Sequence, residues 1–160
     1  MIDLHPTKCN LCGGKVVYIR NDKIYGKLYG SGYCYYCTEC GAYAGTHIPM
    51  PKQAMGLLAN KEMRMLKVRC HSIFDNIWKH EGTFKKRRKK RRECYKRLAA
   101  ALGIEENECH FGYFDIDMLL RALKVLELWN KEMGGDSDGQ KYFKAISSVE
   151  TRAGKAGEKD

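Results

Sequence analysis

Cys9-x-x-Cys12-Gly13-Gly14 and, after a gap of 24 residues, Cys37-x-x-Cys40-Gly41 are the motifs that decide the fold of the N-terminal part of this chain. Two cysteines three positions apart, with glycine directly after, let backbone amides turn toward the sulfurs. Two such pairs bring four thiolates into the tetrahedron that Zn²⁺ prefers, and a four-thiolate set leaves no open coordination position. The spacing therefore predicts one structural zinc ion, with these ligands: Cys9, Cys12, Cys37 and Cys40.

The second motif has two possible registers, because Cys34 lies three positions before Cys37. The later pair, Cys37 and Cys40, is preferred because a glycine follows it, as in the first motif. Cys34 is then a spare thiol, and His47 is a less favoured substitute ligand. The competing interpretation of the four cysteines is a set of free core thiols or a redox pair.

Residues 1–50 hold five of the eight cysteines and seven of the ten tyrosines, and they are rich in glycine. This composition is typical of short strands and tight turns. The dipeptide Asn21-Asp22 between Val16–Arg20 and Ile24–Tyr29 predicts a hairpin turn between two strands. A module with so small an apolar core needs a staple such as a metal ion. The prediction for 1–50 is therefore a zinc ribbon of β hairpins.

Residues 51–134 are predicted to form a helical module that begins after the prolines of His47–Pro51. Apolar residues then recur at three- and four-residue steps, which indicates helices. Asn60 is a good N-cap for a helix over about 61–80, which Gly82 ends. A second helix follows the basic residues and stops at Gly103, and Asp115 caps a third that ends at Gly134-Gly135.

The predicted fold class is therefore α+β, with the small zinc ribbon packed on a bundle of about three helices. Cys70 and Cys94 lie on apolar helix faces and are predicted to be buried as small hydrophobic residues. Residues 135–160 are mostly polar and are predicted to form a loosely ordered tail.

The charge of the chain is concentrated in one place. The chain of 160 residues has a net charge of +10, and the segment 79–97 alone contributes eleven Lys or Arg against two Glu. No run of 18 apolar residues occurs, and the first residues form no apolar signal region, so we expect a cytoplasmic protein with no membrane partner. In that compartment the cysteines should be reduced thiols or metal ligands.

The basic run, Lys85–Arg92, consists of eight consecutive cations. Such a run is stable only if it is solvated, frayed or neutralised by a polyanion, and phosphates that neutralise it release counterions. The run therefore predicts contacts to a nucleic-acid backbone through Lys85, Lys86, Arg87, Arg88, Lys89, Lys90, Arg91 and Arg92. A solvated face, a patch for an acidic protein and a localisation tag are the alternatives. Tyrosines beside the zinc site could stack single-stranded bases.

A catalytic site is the less favoured interpretation of two histidine-aspartate groups. His71 and Asp75 share a helix face, and His110 and Asp115 flank a loop. Their convergence would create a divalent-metal nuclease site. The favoured interpretation gives these side chains capping and hydrogen-bonding roles, so no catalytic residue is predicted. No nucleotide-binding, esterase or zinc-protease motif occurs in the chain.

The N-terminal motif, followed by Ile24-Tyr25-Gly26, locally resembles the zinc ribbons at the C-termini of type I topoisomerases. Over about residues 7–125 the chain also resembles an uncharacterised zinc-finger-containing domain family found mainly in phage and prophage proteins. The motifs that carry the longer resemblance are Cys9-x-x-Cys12-Gly-Gly, Cys37-x-x-Cys40-Gly-Ala-Tyr43-Ala-Gly45-Thr-His47, Gly56-Leu-Leu-Ala59-Asn60, Arg69-Cys-His71-x-x-Phe74-Asp75-x-x-Trp78, Tyr95-x-x-Leu98-Ala99, Leu102-Gly103-Ile104 and Glu108-Cys109-His110-Phe-Gly112-x-Phe114-Asp115. The density of the basic run and the presence of Cys34 depart from that family. The resemblance implies the fold and zinc, and it implies no particular activity.

Three functions remain open from the sequence. The favoured one is a small zinc-containing nucleic-acid-binding protein encoded by a phage, acting on DNA or RNA in the host cytoplasm. The second is a protein-binding inhibitor or regulator of host defence or of the transcription machinery, in which the basic run docks on an acidic partner. The third is the metal-dependent nuclease that would use His71, Asp75 and His110.

Overall fold

The computed structural model describes residues 1–134 of the chain. The N-terminal part is a three-stranded antiparallel sheet in the order β1 (Val16–Arg20), β2 (Tyr33–Cys37) and β3 (Tyr43–Gly45). In β1 and β2 the register pairs Val16 with Cys37 and Arg20 with Tyr33. The helical part follows, so the predicted α+β class is confirmed.

The hairpin predicted at Asn21-Asp22 is wrong in its second strand. Asn21 has φ −82° and ψ −5°, whereas a two-residue hairpin turn of the favoured type needs positive φ at both central residues. A one-turn helix, α1 (Asp22–Tyr25), begins there instead, and the strand that pairs with β1 starts only at Tyr33. The buried Asn21 side chain closes the long connection, because it donates to the carbonyl of Tyr29 (2.6 Å) and accepts from its N–H (3.1 Å).

The three predicted helices all form. They are α2 (Lys61–Trp78), α3 (Phe84–Leu102) and α4 (Ile116–Glu132), with one-turn 3₁₀ helices at Glu106–Glu108 and Phe111–Tyr113. Asn60 and Asp115 cap α2 and α4 as predicted, each accepting an N–H at 2.9 Å, and Gly103 ends α3 in the left-handed conformation. The α2 helix ends two residues earlier than predicted. The α3 helix begins at Phe84, so it includes the basic run that was predicted to precede it. The predicted tail, 135–160, lies outside the described residues.

Two separate cores stabilise the two parts. The core of the sheet contains two of the cysteines and few large side chains: Cys9, Val16, Tyr35, Cys37, Ala42, Ala44, Ala54 and Leu58. The helical core holds sixteen buried residues, among them Cys70 and Cys94, which are buried as predicted. The two parts meet where Tyr43 and Ala59 exchange backbone hydrogen bonds and where the Leu57 N–H donates to the Gly112 carbonyl at 2.9 Å.

The junction needs two glycines that face each other. A Cβ on Gly56 would lie 2.2 Å from the Gly112 carbonyl oxygen, and a Cβ on Gly112 would lie 2.8 Å from the Met55 carbonyl oxygen. Both distances are far below van der Waals contact, so only glycine lets the two backbones approach this closely. The segment before α2 is thereby held against the turn that precedes α4.

Candidate metal centre and nucleic-acid interface

The two cysteine motifs form equivalent turns. In the first, the Cys9 N–H donates to the Gly14 carbonyl at 2.8 Å and the Gly13 N–H donates to the Cys9 carbonyl at 2.9 Å. In the second, the Cys37 N–H donates to the Ala42 carbonyl at 2.8 Å and the Gly41 N–H donates to the Cys37 carbonyl at 3.1 Å. The residue spacings, five and four, are the same in both turns. Gly13 and Gly41 both have positive φ, 73° and 74°. The glycine after each pair therefore lets the chain turn back, as the choice of register predicted.

The four predicted ligands converge at one point. The sulfurs of Cys9, Cys12, Cys37 and Cys40 all lie within 4.8 Å of one another. Cys9 Sγ is 3.7 Å from Cys40 Sγ, and Cys12 Sγ is 3.5 Å from Cys37 Sγ. A tetrahedral ion with Zn–S bonds of about 2.3 Å requires sulfur-sulfur edges of about 3.8 Å. The cluster therefore has the size of a tetrathiolate zinc site.

Backbone amides point at the sulfurs of this cluster. The N–H of Leu11 lies 3.4 Å from Cys9 Sγ, and that of Gly14 lies 3.3 Å from Cys12 Sγ. The Cys40 amide is the main cause that lowers the pKa of Cys37 to about 7. Four thiolates this close repel one another, so a bound cation is needed to hold all of them deprotonated.

The alternative ligands are not part of the cluster. Cys34 is buried on β2, and burial raises the pKa of its thiol to about 11, as expected of a protonated core residue. Within residues 1–134, the four-cysteine group is the one set of three or more Cys, His, Asp or Glu side chains placed to hold a metal ion. His47 is therefore outside the site.

The histidines and aspartates of the nuclease hypothesis each contact other residues in the structure. His71 packs edge-on against Phe111 with ring centroids 4.7 Å apart, and Asp75 accepts the Trp78 indole N–H at 3.1 Å. Asp115 is the cap of α4, and His110 packs against a tyrosine ring. Asp115 has the capping role that the sequence favoured, whereas both histidines pack against aromatic rings and Asp75 accepts an indole N–H. These side chains form no metal-binding group among the described residues.

The basic run forms the exposed N-terminal half of α3. No residue of 84–93 is buried, whereas 94–102 contains the four buried residues of the helix. Thr83 caps the helix by accepting the Lys86 N–H at 3.3 Å. The run has one ion pair within residues 1–134, an exposed contact of 4.0 Å between Lys89 and Glu93. Most of its positive charge therefore faces solvent without a protein counterion.

Contacts with the rest of the protein position arginines of the run, and the sequence analysis did not predict them. The Arg91 guanidinium lies 5.2 Å from the Tyr95 ring centroid and 5.5 Å from the Trp78 ring. Arg87 Nη1 donates to the Glu81 carbonyl at 3.3 Å. The four-residue step from Arg91 to Tyr95 was a readable signal for the first contact. Trp78 lies on another helix, and nothing in the local pattern pairs it with Arg91.

The tyrosines of the sheet divide between core and surface. Tyr35 is buried and Tyr36, next to it on the opposite face, is half-buried. The rings of Tyr18 and Tyr33 stack with centroids 5.1 Å apart, and both are about two-fifths exposed, at 38% and 40%. Tyr29 is the most exposed of the sheet module's tyrosines at 68%. Exposed aromatic rings thus lie on β1, on β2 and in the connection between them, and their use for stacking bases stays a prediction.

Fold and site together define a class, that of small proteins in which a tetrathiolate zinc ribbon is joined to a helical module. The chain belongs to the zinc-finger-containing domain family DUF3268, whose model matches residues 5–128. Searches of curated proteins and of solved structures found no significant match. The family and the four-sulfur cluster together give the protein one structural zinc ion.

Proposed function

We propose that this protein binds nucleic acid through the exposed cations of the basic run, with the zinc ion keeping the N-terminal module folded. The observation that carries the proposal is the N-terminal half of α3. Eight consecutive cations stand on a helix segment with no buried residue and almost no neutralising acid. A surface of this kind matches the regularly spaced negative charges of a phosphate backbone.

The direction of the α3 helix dipole also supports phosphate binding at the basic run. A helix N-terminus carries a partial positive charge, so cations in its first turns are unfavourable and acids are preferred. The first turn of α3 contains no acid, and it is followed by the rest of the basic run. Local rules are most often broken at functional sites. A phosphate group bound here would relieve the repulsion between the cations and the helix dipole.

The zinc module has a supporting role in the proposal. A Cys₄ site has no open coordination position, so its zinc ion stabilises the fold and does no chemistry. The phage origin and the cytoplasmic location suggested by the sequence belong to this proposal as well. No helix within residues 1–134 is both long enough and apolar enough to span a bilayer.

The test replaces three exposed cations of the run, Lys85, Lys86 and Arg92, with glutamine, which keeps a similar helix propensity. The matched control makes the same replacement at three exposed lysines outside α3: Lys8, Lys15 and Lys124. Binding to labelled DNA and RNA should weaken about tenfold or more in the first variant. Equal weakening in both variants would show only a loss of net charge and would refute a role for α3.

A further inference from the structure

A cleft opens between α3 and the two 3₁₀ turns that precede α4. Its volume is about 330 Å³. Six of the side chains that line it come from two walls of different chemistry: Arg88, Arg91, Arg92 and Tyr95 of α3, and Glu106 and His110 of the turns. Tyr95 packs against the helical core, whereas the charged side chains of the cleft belong neither to that core nor to the zinc site.

The arginine wall is partly fixed before any ligand arrives. Arg91 is held by the rings of Trp78 and Tyr95, at 5.5 and 5.2 Å. Tyr95 is itself packed against the buried Phe74, with ring centroids 4.5 Å apart. A guanidinium group that is held in place loses less conformational entropy when it binds a phosphate. Arg88 and Arg92 flank it with two further exposed charges.

The opposite wall presents an exposed aromatic ring. His110 lies edge-on to Tyr113, with ring centroids 4.8 Å apart, and 6.0 Å from the Tyr95 ring. Its partial removal from water, and then the charge of Arg91, lower the pKa of His110 below its usual range. The ring is therefore neutral near pH 7 and does not repel the arginines. Neutral imidazole and other aromatic rings stack unpaired bases.

The cleft is small for a ligand site, since such pockets have volumes of about 300–1,000 Å³. A base that is paired inside a duplex is stacked between its neighbours and cannot reach into such a cleft, whereas an unpaired base can. We infer that this cleft binds one unpaired nucleotide of a nucleic-acid strand, with its phosphate on the arginines and its base against His110. Glu106 also lines the cleft, and its carboxylate repels phosphate, so the phosphate belongs on the arginine wall.

This inference rests on the proposed function and adds a preference for single-stranded over duplex nucleic acid. Phosphates of a duplex can still contact the exposed cations of α3, but only a single strand can also use the aromatic wall. Base-aromatic stacking is measured at about 1–3 kcal/mol per base, or about a 5- to 150-fold change in affinity. The wild-type protein should therefore bind a single strand more tightly than a duplex of the same length.

The test compares His110→Ala with His80→Ala, a matched change at an exposed histidine beyond the end of α2. Each protein is titrated into a fluorescein-labelled 12-nucleotide DNA strand and into the corresponding 12-base-pair duplex. His110→Ala should weaken single-strand binding about 5- to 150-fold and leave duplex binding within twofold. His80→Ala should leave both unchanged. In the wild-type protein, a trinucleotide should shift the imidazole proton resonances of His110 and leave those of His80 in place.

The outcomes separate the two proposals. If the wild type binds both probes but His110→Ala weakens neither, or weakens both equally, the cleft is not the nucleotide site while the proposed function stands. Unshifted His110 resonances would also exclude the cleft, without relying on a variant. If the wild type binds neither probe at low salt, the proposed function itself is wrong.

Discussion

Replacing Cys37 with serine should release the zinc ion and unfold the N-terminal module. Cys37 is fully buried, its sulfur is 3.5 Å from that of Cys12, and a serine hydroxyl does not deprotonate near neutral pH to replace the thiolate. Loss of a group that merely supports a ligand already costs about 10- to 100-fold in metal affinity, so loss of a ligand should cost more. We therefore expect the variant to retain less than roughly 0.1 zinc ion per chain after dialysis against a weak chelator.

The size of the effect on folding follows from the core of this module. Apart from its cysteines it buries three larger side chains, Val16, Tyr35 and Leu58, together with three alanines. Each larger side chain contributes about 1.5–3 kcal/mol, which sums to less than the roughly 10–16 kcal/mol of a structural zinc ion. Metal binding and folding are thus one equilibrium here. The helical core has sixteen buried residues of its own and should persist.

The assay is zinc content, together with ¹H–¹⁵N NMR of the sheet residues and circular dichroism of the helices. The matched control is Cys34→Ala, because Cys34 is equally buried but lies outside the cluster. It should keep one zinc ion per chain and lose only about 1 kcal/mol through a methyl-sized cavity. Full zinc content in Cys37→Ser, or loss of zinc in Cys34→Ala, would refute the ligand assignment.

Two further predictions concern packing and pH. Gly56→Ala should lower the stability of the fold by about 1–3 kcal/mol, because its Cβ overlaps Gly112. Gly82→Ala, where a Cβ meets open space, is the control, and equal melting temperatures would contradict the argument. Burial, and then the charge of Arg64, lower the pKa of Lys67 to about 8. The unfolded chain therefore binds more protons between about pH 8 and 10, so the free energy of unfolding should rise with pH there. Lys67→Met should reduce that rise, and the exposed control Lys124→Met should not. The measurement is the free energy of unfolding from urea titrations at several pH values. If that free energy changed equally with pH in both variants, Lys67 would not be desolvated.

Local signals predicted the zinc cluster and the helix caps at Asn60, Gly103 and Asp115. The spacing of Cys37 and Cys40, with a glycine directly after, is a property of a few adjacent residues, and so are the caps at Asn60 and Asp115. This is why the ligand cluster and the number of helices agree with the sequence.

Features that depend on distant partners were not predictable. Asn21 suggested a tight turn, but its amide bonds to Tyr29, eight residues away, and the strand pairing shifts accordingly. Asn10 binds the backbone of Leu58, 48 residues away, with its amide donating to the carbonyl at 3.0 Å. The cleft beside α3 likewise needs His110 and Arg91 from separate elements. No periodicity or spacing in the sequence indicates which distant residues will be in contact.

The central claim is that the cations of α3 bind phosphates, and the salt dependence of binding measures this most directly. Within residues 1–134, the side chains of five cations of the run have neither an ion pair nor a hydrogen bond to the protein: Lys85, Lys86, Arg88, Lys90 and Arg92. If about five phosphates are neutralised, a plot of log K against log salt should have a slope of about −3.5 for a single strand and −4.5 for a duplex. The measurement titrates zinc-loaded protein into labelled single-stranded DNA, duplex DNA and RNA between about 50 and 200 mM salt. Slopes this steep would support the account. A slope near zero, or no binding at the lowest salt, would contradict it and direct attention to an acidic protein partner.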